Sequence, residues 1–131
     1  MGVARFGQAR ASMASRNYTD LIAWRLAMDL VVDVYQASNQ LPASELYGLM
    51  SQMRRAAVSI PANIAEGQGR RTRREFHRFL MVSHGSLREL ETHLLIAGRL
   101  ELIDATTMRG ILEKAAEVGR VLNGLARSLN H

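Results

Sequence analysis

The chain has no cysteine, so disulfides and thiolate-bound zinc are excluded. Two prolines and an aromatic content of 5% are too few for a sandwich or a barrel. No apolar run approaches the ~20 residues that span a bilayer, so no membrane partner is expected. Lysine is nearly missing as well: Lys114 stands alone beside sixteen arginines. The missing thiols fit a reducing, cytoplasmic setting.

The opening "MGVARFGQARASMASRNY" has no acid and no apolar centre of the kind a secretory signal needs. Gly2 is not followed by Ser or Thr at position 6, which argues against myristoylation. We read residues 1–18 as a disordered basic arm. Residues 19–131 then form one domain, long enough to bury a real core.

What the chain does have is helical periodicity. Apolar residues make up 47% of it and recur at alternating steps of three and four in four segments. These run Leu21, Trp24, Met28, Val31, Tyr35; Leu46, Met50, Met53, Ala57, Ile60, Ile64; Phe76, Leu80, Ser83, Leu87, Leu90, Leu94, Ala97; and Met108, Ile111, Ala115, Val118, Leu122, Leu125, Leu129. No alternating pattern competes with them, so the fold class is all-α. Thr19 or Asp20, Ser44, Thr72 (with Glu75 in capping-box spacing) and Asp104 are the expected N-caps. Connections as short as "NQLPA", "GQGRR" and "RLELI" predict an antiparallel, up-down-up-down four-helix bundle.

Pro61 falls inside the second helix, where it removes one amide donor and crowds the preceding turn. We expect a kink there, with the Ala57 carbonyl in need of a new partner and Ser59 and Asn63 near enough to help. The first helix carries two apolar stripes. Ile22, Leu26, Leu30 and Val34 lie roughly opposite Leu21, Trp24, Met28, Val31 and Tyr35. One stripe is enough for the bundle, so the Ile22–Val34 stripe is the expected oligomer interface.

Catalytic constellations are lacking. His77 and His84 share a face but stand about 10 Å apart along a helix, too far to share a metal. No histidine has a glutamate three residues before it, as a di-iron bundle requires. "GQG" at 67–69 is too short for a phosphate loop, and Ser59, Ser83 and Ser86 lack a nucleophile-elbow setting. "HGS" at 84–86 reads as small residues at a close helix approach, and Glu89 with His93 as a surface pair. No enzyme, metal or cofactor is expected.

Charge is localised. Residues 54–78 hold seven arginines against Glu66 and Glu75, while the chain as a whole carries +5. Arg55, Arg70, Arg71, Arg73, Arg74 and Arg78 are the expected binding residues. Arginines at a helix start oppose the macrodipole, so they serve helix stability poorly. Their forked guanidinium suits phosphate, and with little aromatic interleaving the fitting partner is the backbone of structured RNA. A solvated charged turn that also pairs with acids of a neighbouring subunit is the competing reading.

The segments "DLIAWRLAMDLVVDVY", "ELYGLMSQMRRAAVSIPANIAEGQGR" and "EFHRFLMVSHGSLRELETHLLIA" resemble the bacterial 23S-rRNA intervening-sequence proteins, over nearly all of the chain after the arm. That resemblance implies an antiparallel four-helix bundle assembling into rings, commonly homopentamers. Similar proteins serve as accessory factors of diversity-generating retroelements, where a basic ring associates with RNA and a reverse transcriptase. For most members the role is unknown. Arg54, Arg55, Pro61, Asn63, Glu66, Gly67, Arg70, Gly85, Ser86 and Glu89 fall in the family's signature, for packing or for binding. At "RLELI", 99–103, the family often has a Leu-Gly turn instead. The reading that results is a non-enzymatic oligomer that binds RNA or a ribonucleoprotein, or alternatively an interaction scaffold.

Overall fold

The structure is a computed structural model that describes residues 17–130; the basic arm, apart from Asn17 and Tyr18, lies outside them. Four α-helices follow one another: α1 (Ile22–Ser38), α2 (Leu49–Gln68), α3 (Arg73–Arg99) and α4 (Ala105–Ser128). Short 3-10 turns precede α1 (Tyr18–Asp20) and α2 (Ala43–Glu45), and no strand occurs among the described residues. Each helix packs on its chain neighbours and α4 closes back on α1, with α2 against α3 the most extensive interface. The result is an all-α four-helix bundle.

The side chain that packs most deeply in each layer follows the three-four spacing. Met53, Ile60 and Ile64 of α2, Leu80, Leu87, Leu90 and Leu94 of α3, and Leu122 of α4 are all fully buried. Each contributes about 1.5–3 kcal/mol relative to exposure. The phase of α1 differs from expectation. Its core residues are Ala23, Ala27, Leu30, Val34 and Ala37, while Met28 and Tyr35 are exposed. With apolar residues on both sides, periodicity fixes that α1 is helical but not which side turns inward. The choice falls to side-chain volume, and the small Ala23 and Ala27 let α1 sit close to its neighbours.

Caps agree at α3 and α4 and differ at α1 and α2. Thr72 accepts from the Glu75 amide and Asp104 from the Thr107 amide. Ahead of α1, however, Asn17 caps the 3-10 turn and Leu21 is the helix N-cap, so Asn17 and Tyr18 belong to the fold rather than to the arm. Ahead of α2, Ser44 lies within a 3-10 turn and the Glu45 carboxylate accepts from the Leu49 amide at 3.0 Å.

α2 runs unbroken through the buried Pro61. Its neighbourhood is satisfied by side chains, though not at the Ala57 carbonyl. Asn63 Nδ2 donates to the Ser59 carbonyl at 2.8 Å and to Ser59 Oγ at 2.9 Å. From α3, Ser83 Oγ donates to the Ile60 carbonyl at 2.8 Å, and Ser86 and Ser59 share a hydroxyl–hydroxyl bond of 2.8 Å.

The ends of the bundle are identified by contacts between distant residues. Gln40 accepts from the Asp104 amide, so the α1–α2 and α3–α4 connections share one end. Arg73, Arg74 and His77 line one depression with Leu129 and Asn130, which sets the start of α3 beside the finish of α4 at the other end.

Candidate nucleic-acid interface

The α2–α3 turn is built around a contact that only glycine permits. A Cβ on Gly67 would lie 2.6 Å from Phe79 Cβ, 3.1 Å from Phe76 Cδ1 and 3.3 Å from the Phe76 carbonyl oxygen. The two helices therefore meet backbone to side chain where the chain reverses. Beyond it the Arg70 amide donates to the Gly67 carbonyl, and Thr72 caps α3.

On this frame stand five of the six expected arginines. Arg70, Arg71, Arg73, Arg74 and Arg78 are all exposed, along the turn and the first turns of α3. Two of them are oriented by one ring: the guanidiniums of Arg70 and Arg78 lie 4.8 Å and 4.6 Å from the centroid of Phe79. Such contacts contribute about 0.5–1 kcal/mol at exposed positions, enough to bias a rotamer. Arg70 also donates to Glu66 at 2.7 Å, a surface pair worth little to stability. The side chains of Arg71 and Arg74 form no ion pair or hydrogen bond among the described residues. Glu75, in the first turn of α3, offsets part of the charge that the arginines add to the helix start.

Arg55 is not part of this group. It is exposed on α2 fifteen residues before Arg70, roughly 22 Å along the helix axis. Its neighbour Arg54 is committed inward. Arg54 Nε donates to Ser38 Oγ at 2.8 Å and an η nitrogen to Asn39 Oδ1 at 2.9 Å, and the guanidinium lies 4.7 Å from the Tyr35 ring centroid. It ties α2 to the finish of α1, across sixteen residues of chain that no local pattern joins.

The remaining signature residues separate in the same way. Pro61, Asn63, Gly67 and Ser86 are packing or hydrogen-bonding residues of the α2–α3 interface, and Glu66 pairs with Arg70. Gly85 is exposed, and a Cβ there would meet nothing within 4 Å. The expectation that "HGS" marks a close helix approach thus holds for Ser86 and fails for Gly85. Glu89 is exposed, but His93 is buried, with Nε2 3.7 Å from Glu89 Oε2 and Nδ1 without a partner. That pair is not the surface pair expected, because His93 flanks the Leu90–Leu94 core stripe.

The expected oligomer stripe on α1 is also corrected. Leu30 and Val34 are fully buried in the bundle and Leu26 packs against its core, which leaves Ile22 as the only exposed member of the four. The outward apolar residues of α1 are Ile22, Met28, Val32 and Tyr35.

No three His, Asp or Glu side chains converge to hold a metal among the described residues. No helix of the described residues is long and apolar enough to cross a membrane. Phe79 as a support for two arginines, and Arg54 as an internal tie, were not foreseen. The adjacency of Arg78 and Phe79 hints at the first, while nothing local signals the second.

Comparison with known proteins agrees with this geometry. A crystal structure of a protein of unknown function from the S23 ribosomal protein family of Bacteroides thetaiotaomicron superposes with a TM-score of 0.75 at 20% identity. The match covers 81% of this chain and 99% of that one, and at this identity it speaks for the fold. No curated protein matches the chain. Residues 19–124 match the family described as 23S rRNA-intervening sequence protein, a span that takes in all of α1, α2 and α3 and most of α4, and the chain belongs to that family.

Proposed function

We propose that this protein is a non-enzymatic, cytoplasmic, homo-oligomeric RNA-binding protein, of the ring type that the family resemblance implies, and that it grips the backbone of structured RNA with one end of its bundle. The observation that carries this reading is the set of five exposed arginines gathered on the α2–α3 turn, two of them steadied on Phe79. Pre-ordered guanidiniums lose less side-chain freedom on binding than free ones. Several copies joined in one assembly multiply the effect, since each further contact becomes intramolecular. Arg55, distant from the turn, is a secondary contact at most in this arrangement.

Filter binding to a structured RNA over a salt series tests the proposal. Five phosphate contacts give log affinity against log salt a slope of about −4.5 per subunit, taking the ~0.9 per contact of a duplex. Arg74→Ala/Arg78→Ala is expected to weaken binding and to flatten the slope by about 1.8. Affinity indifferent to salt, or unchanged in the double variant, would overturn the reading. Recovery of a protein partner with no RNA after nuclease treatment would replace it with the scaffold.

A further inference from the structure

A recess of about 400 Å³ lies between the start of α3 and the finish of α4, lined by Arg73, Arg74, His77, Leu129 and Asn130. Leu129 is buried and gives it an apolar wall, while the other four side chains carry nitrogen donors. No acid lines it. At about 100° per residue, Arg73, His77 and Arg74 share roughly 100° of the α3 surface, and the first-turn acid Glu75 falls about 160° from His77. That acid therefore faces away from the recess.

α4 brings no acid either, since residues 120–130 hold Arg120 and Arg127 and no carboxylate side chain. The carbonyls at that helix end, which would repel an anion, are engaged. Ser128 Oγ donates to the Leu125 carbonyl at 2.6 Å, and the Leu129 and Asn130 amides donate to the Ala126 and Arg127 carbonyls. The side chains of Arg74 and His77 form no hydrogen bond or ion pair among the described residues. The recess is a concave cationic site whose donors are side chains from two separate parts of the chain.

We infer that this recess takes a phosphate monoester, the group that ends an RNA chain or a free nucleotide. In its RNA form the inference rests on the reading above and adds a second mode of contact at the same end of the bundle. A phosphodiester within a structured RNA carries one negative charge and has a ribose on either side. It rides over the convex arginines of the turn. A terminal phosphate carries about 1.5 to 2 negative charges at neutral pH, has three acceptor oxygens and is tethered on one side only. It can lead into a gap between helices where a diester cannot. Two guanidinium forks, an imidazole N–H and a carboxamide N–H match those acceptors. The volume also admits the attached sugar, for which Leu129 is an apolar contact.

The experiment presents one structured RNA to the full chain in three forms, with a 5′-phosphate, with a 3′-phosphate and with hydroxyls at both ends, by filter binding. Adenosine monophosphate, titrated by calorimetry, stands for the free monoester. One phosphorylated RNA is expected to bind about tenfold tighter than the hydroxyl form, the scale of a hydrogen bond to a charged group. Two variants remove that preference and leave the five turn arginines in place. Asn130→Asp keeps the side chain's shape at an exposed position and sets a carboxylate in the recess, and His77→Ala removes a donor that has no other partner. Circular dichroism should show wild-type helicity for both. Equal binding of all three RNAs would overturn the RNA form of the inference and leave the RNA reading in place, as would a phosphate preference that survives in either folded variant. Binding of adenosine monophosphate that is lost in Asn130→Asp, with no RNA retained in any form, would support the recess as a site for free nucleotides and sink the RNA reading. Neither RNA nor nucleotide bound would overturn both.

Discussion

The two ends of the bundle solve the same problem, reversing the chain, with different materials. At the arginine end the backbone closes on itself: Gly67 lets α2 touch Phe79, the Arg70 amide finds the Gly67 carbonyl, and Thr72 caps α3. At the far end polar side chains do the closing. Arg54 spans Ser38 and Asn39, Glu45 receives the Leu49 amide, and Gln40 receives the Asp104 amide. What remains exposed differs accordingly. The first end exposes Arg70, Arg71, Arg73, Arg74 and Arg78, and the second exposes Leu46, Tyr47 and Leu100. A cationic residue is available to a partner only where the backbone needs no help from it. Arg54 and Arg74 are the same residue type in opposite situations.

The contrast can be broken first at its tightest point. Gly67→Ala puts a methyl 2.6 Å from Phe79 Cβ, and neither the ring's attachment nor the Phe76 carbonyl can swing aside. A loss of about 3 kcal/mol in urea unfolding is expected, the scale of an overpacked core site. At the other end, Arg54→Ala strips a charged donor from the buried Ser38 hydroxyl and should cost about 2 kcal/mol. Arg54→Lys should recover little, since a single ammonium cannot serve Ser38 and Asn39 as the fork does. Arg54 touches none of the outward arginines, so RNA affinity per folded molecule should survive Arg54→Ala.

A smaller effect of opposite sign belongs to Glu101. It adopts φ 58° as the Leu102 amide reaches back to the Ala97 carbonyl and its own amide to Gly98. This is a Schellman closure whose left-handed position favours glycine. Glu101→Gly should stabilise the protein by about 1 kcal/mol. The smallest effect is a pH dependence at the neighbouring cap. The Thr107 amide, followed by the Thr107 hydroxyl, holds the Asp104 carboxyl below its ordinary value of 3.8. A group depressed on folding stabilises the folded state above its unfolded pKa, and that contribution is lost as pH falls below 3.8 through the folded value. Asp104→Asn should remove this part of the acid sensitivity of melting, read as a flatter Tm-against-pH curve between pH 5 and pH 2.

These comparisons also mark what sequence alone could reveal. The helices, their order and the core stripes of α2, α3 and α4 follow from spacing, because each of those helices has one apolar side. α1 has two, and spacing alone places Leu30 and Val34 outward on a pattern that Met28 and Tyr35, which are the exposed ones, fit equally well. The caps Thr72 and Asp104 were legible because side chain and receiving amide are three residues apart. Glu45 acts from a 3-10 turn that no spacing announces. Of the site, the turn arginines were legible as a cluster in the chain. The separation of Arg55 and the inward commitment of Arg54 depend on helix length and on a partner sixteen residues away.

The hydroxyls between α2 and α3 have one further consequence. Heptad-like apolar rows resist a slide of one helix past the other by a whole repeat only weakly where leucine would replace leucine, as at Leu80, Leu87 and Leu94 of α3. A seven-residue slip of α3 would bring Phe76 or Leu90 opposite the Ile60 carbonyl in place of Ser83, and Phe79 or His93 opposite Ser59 in place of Ser86. Two serines thus act as an alignment mark on an otherwise repetitive surface, and the axial position of the turn arginines relative to the rest of the molecule is set by them.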